Sequence, residues 1–524
     1  MNNILTIKQI DEILANRVKN YKFKLLKEMP QPTSFKDIDK ATNRIIEAIN
    51  SFETINIVGD YDVDGVTSTA IMVSFFADLG VEVNHIIPNR FEHGYGLSPK
   101  ILDMIEDGLV ITVDNGISAY KSAKICKQRG LDLIITDHHT VADELPEAYA
   151  IINPKQNGCT FPFKEICGAQ VAWYLCANIK KSLAIDYNLM KYFDFLVLAI
   201  VADIMPMVSL NQTMVKVGLR ILEKSQRPAF IVLRERFELL TITEDDIGFK
   251  IAPLINCAGR MEDASIALDF LLAFDTIEAN IQLDTLIELN EKRKLEQLDI
   301  FKDSKLQVNE DDKVIVVASE RWNEGIIGIV ASKLCEQYNK PAFVFKLNDN
   351  IAKASARSTS QTHLYNLIDS CKDKVIGFGG HKQAAGLSIK IEDLELFKIE
   401  LNNNIITLPV EPESSDEAIM GEFDISYCDE NIFNLIESYR PFGHKNRYPI
   451  FRFNNLEILN IVKMGKSKEF TKLVVTNGIT SVEVVIFTEF EDINIGEKIT
   501  FSATISKNEF RNNIKYNLIF KSLL

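Results

Sequence analysis

Apolar runs that end in acidic or histidine-bearing segments recur in the N-terminal part of the chain. Each run is paired with the segment that follows it: 54–58 with DYDVDG at 60–65, 109–113 with DNG at 114–116, and 131–136 with DHH at 137–139. With helical stretches such as 68–79 and 119–129 between them, these runs predict a parallel sheet with helices on both faces. Because ligands of an open α/β sheet bind beyond the carboxyl ends of the strands, we expect the segments to meet at one edge.

A helix-like apolar stretch at 195–202 adds another carboxylate, Asp203. Ionised carboxylates that share a small volume repel one another unless cations hold them together. Carboxylate oxygens and an imidazole are suitable ligands for Mg²⁺ or Mn²⁺. The pattern therefore predicts a divalent metal site, and two neighbouring cations in such a site suit hydrolysis of a phosphodiester.

The segment at 60–65 has two other interpretations. Its D-x-D-x-D-G order matches the start of an EF-hand calcium loop, but that loop needs Glu where Ile71 stands and a helix where the sequence is strand-like. Aspartate and glycine are also common in plain turns. A turn alone does not account for Asp114, residues 137–139 and Asp203, so we favour the metal site.

The composition indicates a globular protein of about three or four domains, because the chain has 524 residues and 46% of them are hydrophobic. The eight cysteines include no C-x-x-C pair, which argues against zinc ribbons and disulfide frameworks. The N-terminus has no signal pattern, and the most apolar stretch, 193–208, is interrupted by Asp194, Asp203 and Pro206. We therefore expect a cytoplasmic protein with no membrane association.

The formal net charge of −15 argues mildly against a nucleic-acid partner, since nucleic-acid-binding domains are usually basic. However, metal-binding carboxylates contribute to the negative charge, and phosphate contacts need only a local basic groove. The charge balance therefore does not exclude such a partner.

The sequence patterns divide the chain into five parts, with strand–helix alternation expected from about residue 51 to residue 274. The parts are an N-terminal extension at 1–45, an α/β core at 46–275, a connecting helix at 276–308, a second α/β domain at 309–405 and a domain of short strands at 412–524. An acidic stretch at 411–417 is expected to be a linker. The predicted fold class is α/β: a parallel-sheet core, a long connecting helix, a smaller α/β domain and a C-terminal OB-like β-barrel.

The chain resembles the DHH phosphoesterase superfamily and, by its length, the RecJ-type exonucleases within it. The motifs that carry this resemblance are DYDVDG at 60–65, DNG at 114–116, DHH at 137–139, VADI at 201–204, NCAGR at 256–260, SERW at 319–322, EGIIG at 324–328 and GGHKQAAG at 379–386. They follow the order of the family and span most of the chain. The resemblance implies that the core is a DHH domain, that the second domain is the DHH-associated domain, and that the barrel is an OB-fold that binds nucleic acid.

The resemblance also implies roles for the acidic and histidine residues. The cofactor would be Mn²⁺ or Mg²⁺, with two ions expected. The implied direct ligands are Asp62, Asp64, Asp114, His138 and Asp203. Asp60, Asp137 and His139 are expected to support catalysis by orienting ligands or by handling the proton of the leaving oxygen.

A phosphate-binding surface is implied around residues 379–386, which are expected to start a helix. Backbone N–H groups at Gly380 and His381 would then approach a phosphate. Ser355 and Arg357 are expected to hold a phosphate near the 5′ end, because the planar fork of arginine bonds two oxygens at once.

Two more arginines, Arg90 and Arg260, are expected to contact phosphate, and Tyr95 is expected to stack on a base. In the barrel, basic residues with interleaved aromatics suit a surface that follows a single strand. These residues are Lys463, Lys466, Lys468, Lys472, Lys507, Arg511, Lys515, Phe470, Phe487, Phe510 and Tyr516. The other interpretation is that the aromatics fill the barrel and the lysines only solvate it.

The sequence departs from the family pattern in two places. Asn323 stands where relatives commonly have His, and residues 465–473 match only loosely. The expected function is that of a metal-dependent 5′→3′ exonuclease of single-stranded DNA in recombination and repair, a monomer that works with a single-strand-binding protein and a helicase. The alternatives are an oligoribonucleotide or cyclic-dinucleotide phosphodiesterase of the same superfamily, and a non-catalytic single-strand-binding replication factor.

Overall fold

Contacts between residues divide the chain into two units. The computed structural model describes residues 4–359, 361–405, 419–465, 470–487, 493–510 and 513–524. The first unit, called the core unit below, comprises Pro30–Asp203 and Val217–Pro412. The second, called the barrel unit, comprises Met1–Met29, Ile204–Lys216 and Glu413–Leu524. The stretch 411–417, predicted to be a linker, lies outside the described residues.

A parallel sheet organises the first part of the core unit. In sequence it follows the helices α1 (Ile7–Lys19) and α2 (Ile38–Asn50). Its strands are β1 (Ile55–Val58), β2 (Asn84–Ile86), β3 (Leu109–Val113), β4 (Leu133–Thr136) and β5 (Ala150–Ile152), with helices α3 (Val63–Asp78), α4 (Pro99–Leu102) and α5 (Tyr120–Arg129) between them. The strand order β2-β1-β3-β4-β5, with parallel pairs throughout, confirms the predicted sheet. The order reverses between β1 and β3, which is where sheets of this kind bind ligands.

Burial on both faces explains why these runs are continuous in apolar residues. Every residue of β1, β3, β4 and β5 is buried. A parallel strand that is covered by helices on both sides needs an apolar residue at successive positions. The edge strand β2 is largely exposed, so the same rule does not reveal it in the sequence.

The predicted alternation of strands and helices stops at Ile152, because the rest of this domain is helical. The helices are α6 (Gly168–Ser182), α7 (Phe193–Ala202), α8 (Ser209–Leu222), α9 (Pro228–Arg236), α10 (Glu244–Asp246), α11 (Ala252–Met261) and α12 (Ser265–Leu272), with a π-helical turn at Ile247–Ile251. Helices α6 and α7 pack against α3. Residues 193–200 of α7 are all buried, as expected for a helix that is apolar on every face. In the described ranges, no helix has both the length and the apolar content to cross a bilayer.

The long helix α13 (Thr276–Lys305) leads to a second sheet, which confirms the predicted connecting helix and smaller α/β domain. Asp275 caps α13 by accepting hydrogen bonds from the N–H groups of Ile277 and Glu278. The sheet contains β6 (Ile315–Ser319), β7 (Ala342–Asn348), β8 (Ile351–Arg357), β9 (Val375–Gly380) and β10 (Ala384–Lys390), and the helices of this domain are α14 (Ile327–Tyr338), α15 (Leu364–Asp369) and α16 (Leu394–Asn404). The strand order is β6-β7-β8-β10-β9.

The prediction that residues 379–386 start a helix is wrong. They form the end of β9, a short turn and the start of β10, and the His381 N–H donates to the Ala384 carbonyl at 2.8 Å across the turn. Ala385, Leu387 and Ile389 are buried, whereas Gly386 and Ser388 between them are not. Burial of every second residue is typical of a strand, but the glycine-rich composition hides this pattern in the sequence.

The barrel unit contains a closed five-stranded barrel, the helices α1 and α17 (Glu430–Glu437), and residues 209–216 of α8. The strands are β11 (Phe451–Met464), β12 (Phe470–Thr476), β13 (Ser481–Ile486), β14 (Lys498–Phe510) and β15 (Asn513–Leu523), in the order β11-β12-β13-β15-β14. This confirms the predicted barrel. Ile10 and Leu14 of α1 are buried in the same apolar cluster as Ile436 of α17 and Phe453 of β11. The N-terminal helix therefore completes the core of a barrel formed at the other end of the sequence.

We predict that Leu14→Ala destabilises the barrel unit by about 2–5 kcal/mol, the usual cost of truncating a fully buried leucine. Hydrogen exchange in β11 and β14 of the full-length protein measures the effect within this unit. Asn16→Ala, at an exposed position of the same helix, should change stability by no more than about 0.5 kcal/mol. Equal protection of the strands in both variants would mean that α1 is dispensable to the barrel.

Candidate metal centre and phosphate-binding cleft

The loop after β1 places two carboxylates at the start of α3. Asp62 is the N-cap of that helix, and its Oδ1 accepts the N–H of Gly65 at 3.1 Å. Asp64 lies in the first helical turn. Carboxylates are favoured at a helix N-terminus because unpaired N–H groups and the helix dipole both attract negative charge. The D-x-D-G spacing is thus explained by a helix that begins a few residues after the end of a strand, with Asp62 as its N-cap and Asp64 in its first turn.

A second helix N-terminus fixes Asp64. Its Oδ2 accepts the N–H of Gly168 at 2.5 Å, and its Oδ1 accepts the N–H of Ala169 at 2.8 Å. A Cβ at position 168 would lie 2.4 Å from Oδ1 of Asp114, so only glycine lets α6 approach so closely. Gly168 was not singled out in the sequence. The available signal is a glycine at the start of an apolar helix.

The loop after β3 is tied to β1. Asp114 adopts a left-handed backbone with φ of 62°, and its N–H donates to the Thr136 carbonyl. The neighbouring Asn115 donates from Nδ2 to the carbonyls of Val58 and Gly59, both at 3.0 Å. These contacts hold the ends of β1, β3 and β4 together, and they assign a structural role to the asparagine of the D-N-G motif.

Asp137 organises the loop after β4. Its Oδ1 accepts the N–H of His138, the N–H of His139 and a hydrogen bond from Nδ1 of His139 at 2.7 Å, while Oδ2 accepts the N–H of Ile117. Burial would raise the pKa of Asp137, but these bonds and the nearby imidazoles hold it below its usual value. Burial would lower the pKa of His139, yet the bond to Asp137 raises it to about 9. These opposite shifts favour an ionised Asp137 hydrogen-bonded to a protonated His139.

The segments meet at His138. Its Nε2 lies 3.2 Å from Oδ1 of Asp114, 3.6 Å from Oδ2 of Asp64 and 3.7 Å from Oδ2 of Asp203. Burial lowers the pKa of His138, which keeps the imidazole neutral and suited to metal ligation. Residues from β1–α3, β3, β4 and α7 thus converge as the sequence predicted.

Ligand atoms close enough to share an ion form three overlapping groups in the described residues. Within each group the atoms lie no more than 4.8 Å apart. The groups are Asp60 with Asp62 and Asp114, Asp64 with His138 and Asp203, and Asp114 with His138 and His139. All five predicted ligands and two of the three predicted supporting residues therefore lie at one centre, whereas Asp137 acts on it through His139.

The carboxylates of this centre are electrostatically costly without a cation. Burial and then the charge of Asp62 raise the pKa of Asp60 to about 8. Burial and then the charges of Asp64 and Asp62 raise the pKa of Asp203 to about 8. Burial also raises the pKa of Asp62, with Asp64 as its next cause. Bound divalent cations would remove this cost, because they favour the ionised carboxylates.

Several polar atoms at the centre are buried and unpaired. Among the described residues, Asp114 Oδ1, Asp203 Oδ2 and His138 Nδ1 are buried without a hydrogen-bond partner. Buried polar atoms are normally paired, and an ion can supply the missing partner. Oxygen ligands with one neutral imidazole suit Mn²⁺ or Mg²⁺. The residues present therefore fit such a metal.

A cleft of about 570 Å³ lies in the core unit beside this centre. Tyr61, Arg90 and Tyr95 line one side, and Ser355 with the backbone of Gly379 and Gly386 lines the other. The guanidinium of Arg90 lies 4.1 Å over the ring of Tyr61, and the ring of Tyr95 meets that of Tyr61 edge-on. In the described part of the chain, Nε of Arg90 is buried without a partner, as expected for an arginine that awaits an anion.

Two further arginines lie near the cleft. Burial and then the charge of Arg90 lower the pKa of Arg260 to about 10, with Arg357 among the further causes. Burial also lowers the pKa of Arg357. Arg357 and Ser355 share one face of β8, since residues two apart on a strand point the same way. The positive charges of Arg90, Arg260 and Arg357 together suit the binding of a phosphate.

The contribution of residues 379–386 to the cleft differs from the predicted one. The cleft is lined by Gly379 and Gly386, but Gly380 and His381 are not among its lining residues. His381 is exposed at the hairpin turn. The segment is a hairpin without a helix dipole, so Gly380 and His381 do not offer helix N–H groups, and their contact with phosphate stays a prediction.

Three family models match the chain. The DHH family N-terminal domain matches residues 54–200, the DHHA1 domain matches residues 311–407 and the RecJ OB domain matches residues 419–522. Their order is that of the parallel sheet, the second sheet and the barrel.

Curated relatives are similar over most of the chain. The single-stranded-DNA-specific exonuclease RecJ of Bacillus subtilis is 34% identical over 94% of this chain, which spans 64% of that protein. The protein of the same name from Haemophilus influenzae is 31% identical over 96% of this chain and 94% of its own length. The Escherichia coli protein is 31% identical over 79% of this chain and 77% of its own length.

Solved structures share the fold. RecJ from Thermus thermophilus in complex with Mn²⁺ superposes with a TM-score of 0.79 at 25% identity, covering 94% of this chain and 72% of that one. An exonuclease RecJ bound to manganese gives a TM-score of 0.63 at 30% identity, covering 70% of this chain and 94% of that one. The Thermus protein was also solved with Mg²⁺. With its three domains in the same order and its similarity over nearly the whole Haemophilus protein, this chain belongs to the RecJ family of DHH proteins.

Proposed function

We propose that this protein is a metal-dependent 5′→3′ exonuclease that hydrolyses phosphodiester bonds of single-stranded DNA. The observation that carries the proposal is the convergence of Asp64, Asp114 and Asp203 on His138. The arginine-lined cleft beside this centre supports a phosphate-bearing substrate. The names of the relatives support single-stranded DNA as that substrate.

Asp62, Asp64, Asp114, His138 and Asp203 would hold two Mn²⁺ or Mg²⁺ ions. Such ions supply an activated water and neutralise charge on the attacking and leaving oxygens. The protein keeps the ligands in place through the N–H groups of Gly168 and Ala169, which bind Asp64. Asp60, buried beside Asp62, adds negative charge that favours cation binding.

His139 would handle the proton of the leaving oxygen. Its Nδ1 is bonded to Asp137, which fixes the ring and leaves Nε2 as the nitrogen that faces other groups. The imidazole side chain is 39% exposed, so a substrate can reach it. An imidazolium held in this way can donate a proton from Nε2 to a departing oxygen.

The wall of the cleft suits a single strand. Glycine backbone on one side and the rings of Tyr61 and Tyr95 on the other offer van der Waals surface and stacking faces, which are tolerant of sequence. Arg90, Arg260 and Arg357 would bind phosphates, and Arg357 with Ser355 would take the phosphate nearest the 5′ end. We expect a duplex to enter this cleft only after its strands separate, because stacking on the tyrosine rings needs unpaired bases.

The barrel would add affinity for longer strands. Phe487 is 59% exposed and meets Phe470 edge-on, while the barrel core is filled by other residues such as Phe453 and Phe501. Its lysines are partly neutralised, since Lys472 and Lys515 both lie 3.4 Å from Glu483. Lys466, Lys468, Arg511 and the side chain of Phe510 lie outside the described residues. Stacking on exposed aromatics is therefore the better supported contribution of this domain.

We infer the biological setting of the enzyme from its family. We propose that the enzyme acts in the cytoplasm as a monomer, in DNA recombination and repair, with a helicase that supplies single strands and a single-strand-binding protein. Among the alternatives, the non-catalytic binding factor is disfavoured by the presence of every predicted ligand at the centre. The oligoribonucleotide or cyclic-dinucleotide phosphodiesterase is disfavoured by the match to the RecJ OB domain.

Asp114→Ala should lower the rate of cleavage by about 10³-fold or more, the scale of losing a charge-stabilising group from a preorganised site. Single-strand binding should persist, since phosphate contacts lie elsewhere. The assay is hydrolysis of a 5′-phosphorylated oligonucleotide with Mn²⁺, alongside thermal unfolding with and without the ion. The exposed Asp103→Ala is the matched control. Near-normal turnover, or an unchanged stabilisation by Mn²⁺ in Asp114→Ala, would contradict a shared metal centre.

Arg357→Lys should reduce the preference for 5′-phosphorylated over 5′-hydroxyl ends by about tenfold, because it keeps the charge but loses the two-pronged hydrogen bonding of guanidinium. Competition between the two substrates in one reaction measures the preference. Arg321→Lys, at a side chain that is 83% exposed in the same domain, should leave it unchanged. If Arg357→Lys slows both substrates equally, the arginine has a structural role.

A further inference from the structure

Asn323 occupies a loop between β6 and α14 and is bonded on both sides. Its Nδ2 donates to Oε2 of Glu296 on α13 at 3.1 Å. Its Oδ1 accepts the N–H of Gly325 at 2.9 Å. The amide group therefore fixes the shape of the loop and ties it to the connecting helix.

Gly325 lies directly against the end of α11. Its carbonyl accepts a hydrogen bond from Nη1 of Arg260 at 3.3 Å. A Cβ at Gly325 would lie 2.0 Å from the backbone oxygen of Arg260, so the two backbones touch and any larger residue would force them apart. If the loop moves, Arg260 must therefore move with it.

Arg260 lies where the two domains of the core unit meet. Its charge interacts with Asp62 of the metal centre and with Arg90 and Arg357 of the cleft. In the described part of the chain, its guanidinium has one hydrogen bond, to Gly325. The bond to Gly325 restricts the plane of the guanidinium and leaves its other N–H groups available to a phosphate.

We propose that Asn323 is a positioning residue that aims Arg260 at the substrate phosphate through Gly325. This inference rests on the proposed function. The link runs from Glu296 on the connecting helix through the amide of Asn323 and the carbonyl of Gly325 to the guanidinium of Arg260. Asn323 itself does not contact the phosphate, and its effect is on binding rather than on the chemical step.

Asn323→Asp tests the link because it keeps the acceptor for Gly325 but replaces the donor with a charge that repels Glu296. We expect the KM for a 5′-phosphorylated single strand to rise about tenfold while kcat changes less than twofold. Combining it with Glu296→Gln reverses the direction of the hydrogen bond, since glutamine can then donate to aspartate. The double variant should return KM to within about twofold of the wild-type value. Asn348→Ala is the control, because Asn348 lines the same cavity of about 860 Å³ as Asn323.

A double-mutant cycle that combines Asn323→Asp with Arg260→Ala distinguishes an effect through Arg260 from a nonspecific loss of structure. If Asn323 acts through Arg260, then Asn323→Asp should have no further effect once the guanidinium is removed. Independent, multiplying effects of the two substitutions would overturn the proposal, and so would a wild-type KM in Asn323→Asp. A fall in kcat and in melting temperature without a change in KM would identify a structural role and overturn it as well.

The proposal can fail separately from the proposed function. Affinity for the same 5′-phosphorylated strand, measured by fluorescence anisotropy in Asp114→Ala protein, does not require cleavage. If the wild-type protein shows no nuclease activity, this affinity still reports whether Asn323→Asp weakens binding about tenfold and whether Glu296→Gln restores it. If nuclease activity is present but affinity is insensitive to Asn323, only the positioning role is lost.

Discussion

Repulsion among buried carboxylates is the constraint on which the rest of the core unit depends. Asp60, Asp64 and Asp114 are almost fully buried, and each belongs to a group of ligand atoms that lie within 4.8 Å of one another. Holding them together without a cation costs free energy, and the raised pKa of Asp60 expresses that cost. Two helix N-termini, those of α3 and α6, offset part of it with backbone N–H groups. The fully buried strands beneath them provide a scaffold rigid enough to keep the ligands from moving apart.

The two tasks of the site are carried by different kinds of structure. The proposed ligands for the cations come from strand ends and helix caps, where the sheet sets the position of each side chain. The positive charges that we propose to face phosphate come from arginines, namely Arg90 in a loop, Arg260 at the end of a helix and Arg357 on a strand of the second sheet. The cleft therefore exists only when both domains of the core unit are in place, and the contact of Gly325 with Arg260 is where their backbones meet.

Sequence patterns predicted the parallel sheet and its edge because buried strands need successive apolar residues, and acidic residues placed directly after such strands stand where a sheet of this kind binds its ligand. The same reasoning failed at residues 379–386, where glycines hid a strand period of two. It also missed the supporting roles of Gly168 and Asn115, since these depend on segments that are distant in sequence. The roles assigned to the ligands and arginines stay predictions that the experiments above test.

The barrel unit is assembled from both ends of the sequence. The hydroxyl of Tyr439 donates to the carboxylate of Asp11 at 2.6 Å, across 428 positions of the chain. The helix that carries Asp11 is therefore synthesised long before Tyr439 and the barrel strands that it packs against. Contacts between residues so far apart in sequence form late, so we expect the barrel unit to complete its folding after the core unit. The buried face of α1 therefore lacks its native packing partners in α17 and β11 until those segments have been made.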